Sequence, residues 1–471
     1  MKQRITLLSN VIDQDSIDTN GLEFTENSIS IPNSIWYQRQ DRLTLDPSDI
    51  SPQLSKLLSN YDQFKFTLKS SNLESSSIFQ NFHPNGLTLQ LLPKSPYGLN
   101  ESLDQWGNYL STNFNPKGSK FNHENFVLTA TSLTYHKSSS ELELNSTIIT
   151  QFLETFNNEL DIIDQIQDLE ISYDSSNPIL KIQWISIPST NSITTINKSQ
   201  FQKEIAILKP QSQDLEDLEL SGLRTILSPI NENYLPPTKT LIYLKPRHKF
   251  IPSSNTSISL SEPIGLHPVI KFQYIPPSVD QDHCKLYIST LLPSHLFFDK
   301  YQFNSNSLQL LGHWGESDLE LPLWKIKKFG SLQLFEIKNH TNDLELIYHS
   351  RYLDPFTNPI VQFNKPDFFY ACDSLILSDP EHVELNPFDD SLLGIDSFFT
   401  KDTVFYHLDH DSNQDLQINI PNLSILDYLK TQLITLFIVL IGTGWLLYKI
   451  FNTGSSKTNK KAKKINIKKK K

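Results

Sequence analysis

Residues 285–292 read KLYISTLL and stop at Pro293. Apolar, β-branched and aromatic residues alternate with polar ones, as in a half-buried strand, and proline ends it because it has no N–H to donate to a ladder. The same texture recurs on both sides. Residues 240–244 (TLIYL) run up to Pro246, and 269–275 (VIKFQYI) stop at Pro276 and Pro277. Residues 331–337 (SLQLFEI) and 343–348 (DLELIY) complete the set. Short strands at this spacing predict a sandwich-like β domain over 226–430.

The first ~225 residues mix two periods. Leu103, Trp106 and Leu110 share a helical face, as do Ile149, Phe152, Leu153, Phe156, Leu160 and Ile163. Between them, 86–92 (GLTLQLL) is strand-like and stops at Pro93. The acidic, glutamine-containing stretch 211–219 reads as a loop or short linker, with a soft boundary near 225. The fold expected is therefore mainly β: a mixed α/β region over 1–225, the sandwich over 226–430, then a transmembrane helix over 431–451 and a basic tail over 452–471.

Residues 431–451 (TQLITLFIVLIGTGWLLYKIF) carry no charge until Lys449. At ~1.5 Å per residue, about 20 such residues cross a ~30 Å hydrocarbon layer. Tyr428 at one end and Trp445 and Tyr448 at the other suit the interfacial aromatic belts. The chain carries a formal charge of −11, which argues against a soluble nucleic-acid binder. After Ile450 come nine lysines and no acid; without them, 32 basic residues face 52 acidic ones, a body of −20. The excess of lysine places the tail in the cytosol and the body in a lumen. The first residues, MKQRITLLSNVIDQDS, hold no apolar run long enough for a signal peptide. A tail-anchored chain with a cytosolic body would account for that, but it would carry nine lysines across the bilayer.

Lys468 and Lys469 stand fourth and third from the last residue, the spacing of a dilysine retrieval signal for the endoplasmic reticulum. A generic polybasic tail on anionic lipid needs the same cytosolic placement. Six sequons precede the span, at Asn100, Asn145, Asn197, Asn255, Asn339 and Asn422, and a luminal body would expose them to glycosylation.

Chemistry is sparse. The sequence has no Gly-x-Gly-x-x-Gly, phosphate loop, Gly-x-Ser-x-Gly elbow or His-Glu-x-x-His helix. Asp13/Asp15, Asp280/Asp282 and Asp409/Asp411 have the spacing that holds a divalent ion in many glycosyltransferases, but such pairs arise easily among 52 acids and read as solvated loops. His407, Asp409, His410 and Asp411 form a local polar run rather than a metal site built from several elements. No catalytic, cofactor or metal residue is expected. Cys284 and Cys372 are candidates for a disulfide in an oxidising lumen, a pairing the sequence leaves open. Gly442-Thr443-Gly444 puts small residues mid-span, where they favour close contact with another membrane helix.

Three ordered stretches resemble the PIG-X family in its fungal form, the protease B non-derepressible proteins. The first runs from Cys284 through the strand to Pro293, then Leu296-Phe-Phe-Asp299-Lys-Tyr301. The second is Tyr348-His-Ser-Arg351-Tyr352-Leu-Asp-Pro355, and the third Pro366-Asp367 leading to Cys372-Asp373, with the span following. Residues 1–225 match only as the long extra region of fungal members, and additional cysteines of vertebrate members are missing. The resemblance implies a non-catalytic subunit of glycosylphosphatidylinositol (GPI) mannosyltransferase I in the endoplasmic reticulum membrane. Its partner would be the polytopic PIG-M-type catalytic subunit, which adds the first mannose to the anchor precursor. A chaperone-like part in luminal protein processing is implied as well. Pro293, Asp299, Tyr301, Arg351, Tyr352, Pro355, Pro366, Asp367 and Asp373 become candidates for structural or docking roles, arginine and tyrosine being enriched at binding hot spots. Two rivals are a general luminal folding chaperone and a dolichol-linked glycosyltransferase in its own right.

Overall fold

The computed structural model describes residues 1–10, 21–70, 78–79, 82–114, 122–139, 146–157, 160, 166–188, 193–211, 218–228, 236–244, 247–261, 265–274, 284–303, 305–338, 343–373, 398–400, 403–410 and 415–468. Strands dominate. The first sheet has eleven, in the spatial order Thr238–Leu244, Leu218–Leu227, Gln202–Pro210, Lys2–Ser9, Trp36–Leu45, Asn177–Ser186, Ile166–Asp174, Tyr61–Lys69, Gly86–Pro93, Leu133–Ser138 and Val127–Leu128. Lys2–Ser9 and Gln202–Pro210 pair in parallel. Gln202–Pro210 and Leu218–Leu227, on either side of the acidic stretch, are antiparallel neighbours, so both belong to this sheet.

Helices α1 (Pro52–Leu58), α2 (Leu99–Phe114) and α3 (Ser146–Glu154) cover part of one face. Leu54, Leu103, Trp106, Leu110, Ile149, Phe152 and Leu153 pack there with Leu43, Phe66, Ile171 and Ile182 of the sheet, and Trp106 stacks on Phe64 at 4.4 Å. Ser51 caps α1 by accepting from the Leu54 N–H, and Pro52 fits the first turn because its missing N–H would have no partner there. The apolar period expected to continue to Ile163 does not hold one helix that far. α3 ends at Glu154, Leu160 is buried beyond it, and Ile163 lies outside the described residues.

The sandwich begins with His248–Leu260, whose two halves pair differently. Its first residues run parallel to Thr403–His410; after a register break between Ile251 and Thr256 its end pairs with Val269–Gln273. One strand thus passes from one layer to the other, the way sandwich corners are turned. The first layer continues through Asp367–Asp373, Cys284–Pro293, Gly330–Ile337 and Leu308–Gly315. The second contains Val269–Gln273 and Asp343–Ile347, and a separate two-stranded ribbon, Ile360–Phe363 with Leu416–Asn419, sends Val361, Phe363 and Ile418 into the same core. Leu286, Ile288, Phe368 and Tyr370 meet Ile270, Phe272, Leu344, Leu346, Phe363 and Ile418 in the core. Where Gly330 crosses Pro293, a Cβ would fall 1.9 Å from the Leu292 carbonyl oxygen, so only glycine fits.

The last element is α4 (Ile425–Lys468). Within Ile425–Asn452 the most apolar 18-residue stretch has a mean hydropathy of 2.0, and none of it is buried by the rest of the chain. An apolar helix exposed all round needs lipid as its solvent. Ser424 caps it, its Oγ accepting from the Asp427 N–H at 3.2 Å.

Candidate functional site

The stretches around Pro293 and Arg351 meet at one end of the sandwich. Leu296–Phe297 pairs with His349–Ser350, and the Arg351 N–H donates to the His295 carbonyl at 2.9 Å. That pairing turns the Arg351 side chain inward, where it is 2% exposed. Its guanidinium lies 4.7 Å over the Phe297 ring, and Nη1 donates to the Leu321 carbonyl at 2.8 Å. Nε and Nη2 have no acceptor among the described residues, nor have His295 Nδ1, His349 Nε2 and Ser350 Oγ. Burial lowers the Arg351 pKa, against the opposing pull of Glu316 and Asp318. Arg351 therefore clamps the 321 loop to the 351 loop. Its neighbour Tyr352 points out, while the Tyr352 carbonyl accepts from Leu323 N–H at 3.2 Å.

The other motif residues sort by burial. Asp299 closes a turn by accepting from the Tyr301 N–H at 2.9 Å, leaving the Tyr301 ring exposed. Pro355 is half-buried, Pro366 is buried, and Asp373 ends its strand opposite Thr403. Asp367 accepts from His407 Nδ1 at 3.0 Å. Cys284 and Cys372 sit directly across from each other on neighbouring strands and are disulfide-bonded.

His407 belongs to a buried seam between the two large sheets. Its Nε2 meets His248 Nδ1 at 3.0 Å, and Phe82, from the first sheet's side, stacks on His407 at 3.9 Å. Next to Phe82, His83 bonds Glu170 at 3.1 Å, and Lys65 pairs with the same carboxylate at 3.2 Å. Nearby, Asn364 donates to the Asn85 carbonyl, and Asn85 donates to Asp415. Further along, Lys327 pairs with Glu124. Burial, with Lys65 adding to it, holds His83 down at about 4 although Glu170 opposes; burial alone holds His136 at about 3. Both are neutral at pH 7. The unfolded chain takes up these protons near 6.5, so stability is complete above that pH and is lost as pH falls below it. Between pH 7.5 and 5.5 the loss is about 1.4 kcal/mol per histidine. Urea unfolding at the two pH values measures it, and His83→Gln should remove that residue's share of the difference.

The PIG-X / PBN1 family model matches residues 263–451, which hold the sandwich motifs, the disulfide and the apolar helix. Protein PBN1 of Debaryomyces hansenii is 31% identical over 96% of this chain and 96% of its own. This chain belongs to the PIG-X / PBN1 family. Protein PBN1 of Candida albicans is 27% identical over 98% of this chain and 100% of its own, so the similarity also runs through the residues that form the first sheet. Protein PBN1 of Saccharomyces cerevisiae is 32% identical over 55% of this chain and 60% of its own. A putative membrane anchored protein from Corynebacterium diphtheriae superposes with a TM-score of 0.15 at 7% identity, covering 86% of this chain and 92% of that one, too little to carry an argument.

The remaining candidates fall unevenly on this PIG-X / PBN1 chain. Asn100 and Asn197 are exposed, whereas Asn422 donates its amide to the Asp354 carbonyl at 3.0 Å. Asn145 and Asn339 lie outside the described residues, and the Asn255 side chain does as well. So do Asp13/Asp15, Asp280/Asp282, Asp411, Lys469 and the side chains of Asp409, His410 and Lys468. Among the described residues no group of three His, Cys, Asp or Glu side chains is placed to hold a metal. Sequence reasoning missed the seam, because His83, His136, Asn364 and His407 are scattered and carry no spacing signal.

Proposed function

We propose that this protein is a non-catalytic endoplasmic-reticulum membrane subunit of GPI mannosyltransferase I that stabilises the polytopic catalytic subunit for addition of the first mannose. Family membership supports a role in GPI-anchor biosynthesis. The observation that carries the finer reading is the build of the membrane end. A disulfide-stapled β platform is joined by a few bonded residues to one apolar helix that the rest of the chain leaves exposed. Such a helix offers a surface for another membrane helix. A Cβ at Gly442 or Gly444 would meet nothing within 4 Å, so a partner helix has room to approach closely there.

The body is luminal and the lysine tail cytosolic in this reading. A disulfide persists in an oxidising compartment, and the exposed Asn100 and Asn197 suit glycan addition there, while the bonded amide of Asn422 does not. Depleting the protein should lower the catalytic subunit's steady-state level several-fold and stall anchor synthesis at the unmannosylated lipid. Asp280→Ala with Asp282→Ala should leave transfer intact. An unchanged level of the catalytic subunit on depletion would overturn the stabiliser reading. Loss of transfer in the aspartate variant at normal partner level would favour an enzyme.

A further inference from the structure

We propose that the loops 319–326 and 351–357 form an aromatic collar lying in the headgroup layer of the bilayer that α4 crosses, so that the sandwich is seated on the membrane rather than held above it. Phe356 is 65% exposed, Tyr352 72% and Trp324 58%, three large and mostly uncovered rings on neighbouring loops. Arg351, through the Leu321 carbonyl, and Leu323, through the Tyr352 carbonyl, lock these two loops together. Exposed rings clustered on one end of a domain call for an apolar partner.

The helix identifies that partner. The Phe356 ring meets Tyr428, in the first turn of α4, edge-on at 6.0 Å between centroids. Lys430 is the last charged residue before the apolar run that starts at Leu433. Tyr428 lies five residues earlier, about 7.5 Å above the hydrocarbon edge at ~1.5 Å per residue. The headgroup layer is itself roughly 5–8 Å deep on each side. Tyr428, and with it Phe356, therefore stands at headgroup level, where rings with one apolar and one wet side accumulate. Lys325, beside Trp324, has a stem long enough to reach lipid phosphates.

Nor is there slack to lift the body away. Ile420 N–H donates to the Pro359 carbonyl at 2.9 Å, Asn422 bonds the Asp354 carbonyl, and Ser424 already caps the helix. The loop that carries Phe356 is thus bonded directly to the residues that start the span. The occupant is the headgroup and upper acyl region of the same bilayer, and seating requires no other protein.

The test uses the full chain alone in phosphatidylcholine nanodiscs. The described residues hold no free cysteine, so a nitroxide attaches only to introduced thiols. Labels at Trp324→Cys, Tyr352→Cys and Phe356→Cys are compared with Tyr97→Cys, at a 91% exposed position on the first body, and with Val439→Cys inside the span. The collar labels should show an oxygen-to-nickel-chelate accessibility ratio several-fold above that at Tyr97. In the unlabelled chain, brominated lipid should quench fluorescence that Trp324→Phe removes, which reads the same point without a cysteine. Collar labels matching Tyr97 while Val439 is lipid-bathed would overturn the seating. The same holds for labels that become shielded only after a polytopic partner is added, which would make the collar a protein dock. A Val439 label open to water would instead refute the span.

Discussion

Replacing Cys284 and Cys372 together with alanine is expected to lower the unfolding free energy by roughly 4–5 kcal/mol, on the chain-entropy estimate for so long a loop. The bond closes a loop of 88 residues in sequence, and that loop contains the Pro293, Arg351 and Pro366 motifs. Cys372 is fully buried and Cys284 nearly so. Alanine at both sites therefore leaves small apolar gaps rather than unsatisfied hydroxyls, which is why the double alanine variant is preferable to serine. For a sandwich of this size the melting temperature should fall by on the order of 10 °C, read by calorimetry of the full chain in detergent. The loss should concentrate in the sandwich. The first sheet, which holds no cysteine, should keep its hydrogen-exchange protection. Equal midpoints for the variant and the parent would mean the bond contributes no stability.

What the sequence made legible follows from which interactions are local. The strand 285–292 could be read because alternation and a terminal proline are properties of neighbouring residues, and it stands as Cys284–Pro293. Trp106 with Leu103 and Leu110 marked α2 for the same reason. Lys2–Ser9 gave no such sign: KQRITLLS carries its polar and apolar residues in blocks, yet it lies near the centre of the eleven-stranded sheet. Pairing on both sides buries Gln3 and Thr6 as well as Ile5 and Leu7, so the tertiary setting, not the period, fixed it. The change of texture near 225 likewise precedes the change of sheet, which falls between Leu244 and His248, because an edge strand with one neighbour looks like any other short strand. The membrane end was legible in part. The span and Tyr428 were plain, but the contact between Tyr428 and Phe356 joins residues 72 positions apart, and nothing in the intervening sequence announces it.

Arg39→Ala should destabilise the first body by about 3–5 kcal/mol, the range for removing one partner of a buried pair. Both Arg39 and Asp41 are 0% exposed. Arg39 donates through Nε at 2.6 Å and Nη2 at 2.8 Å to the two carboxylate oxygens, and Gln3 donates to the same group at 2.9 Å. By register Asp41 lies opposite Ile5 on one side and Trp184 on the other. The pair therefore occupies the sheet face between the helix-covered core and the apolar cluster of Ile5, Leu7, Ile29 and Ile31. Alanine at 39 leaves that anion buried without its forked guanidinium, with the Gln3 amide still donating to it. If desolvation dominates, Arg39→Leu with Asp41→Leu should recover most of the loss, since neither charge then has to be held away from water. If the fork instead fixes the register between Lys2–Ser9 and Trp36–Leu45, the leucine pair should regain stability but exchange amide hydrogens faster along both strands. Urea titration of the two single variants and the double variant measures the loss and its recovery, and amide hydrogen exchange along both strands separates these outcomes. A cost below about 1 kcal/mol for Arg39→Ala, the level of an exposed ion pair, would show that water reaches the carboxylate.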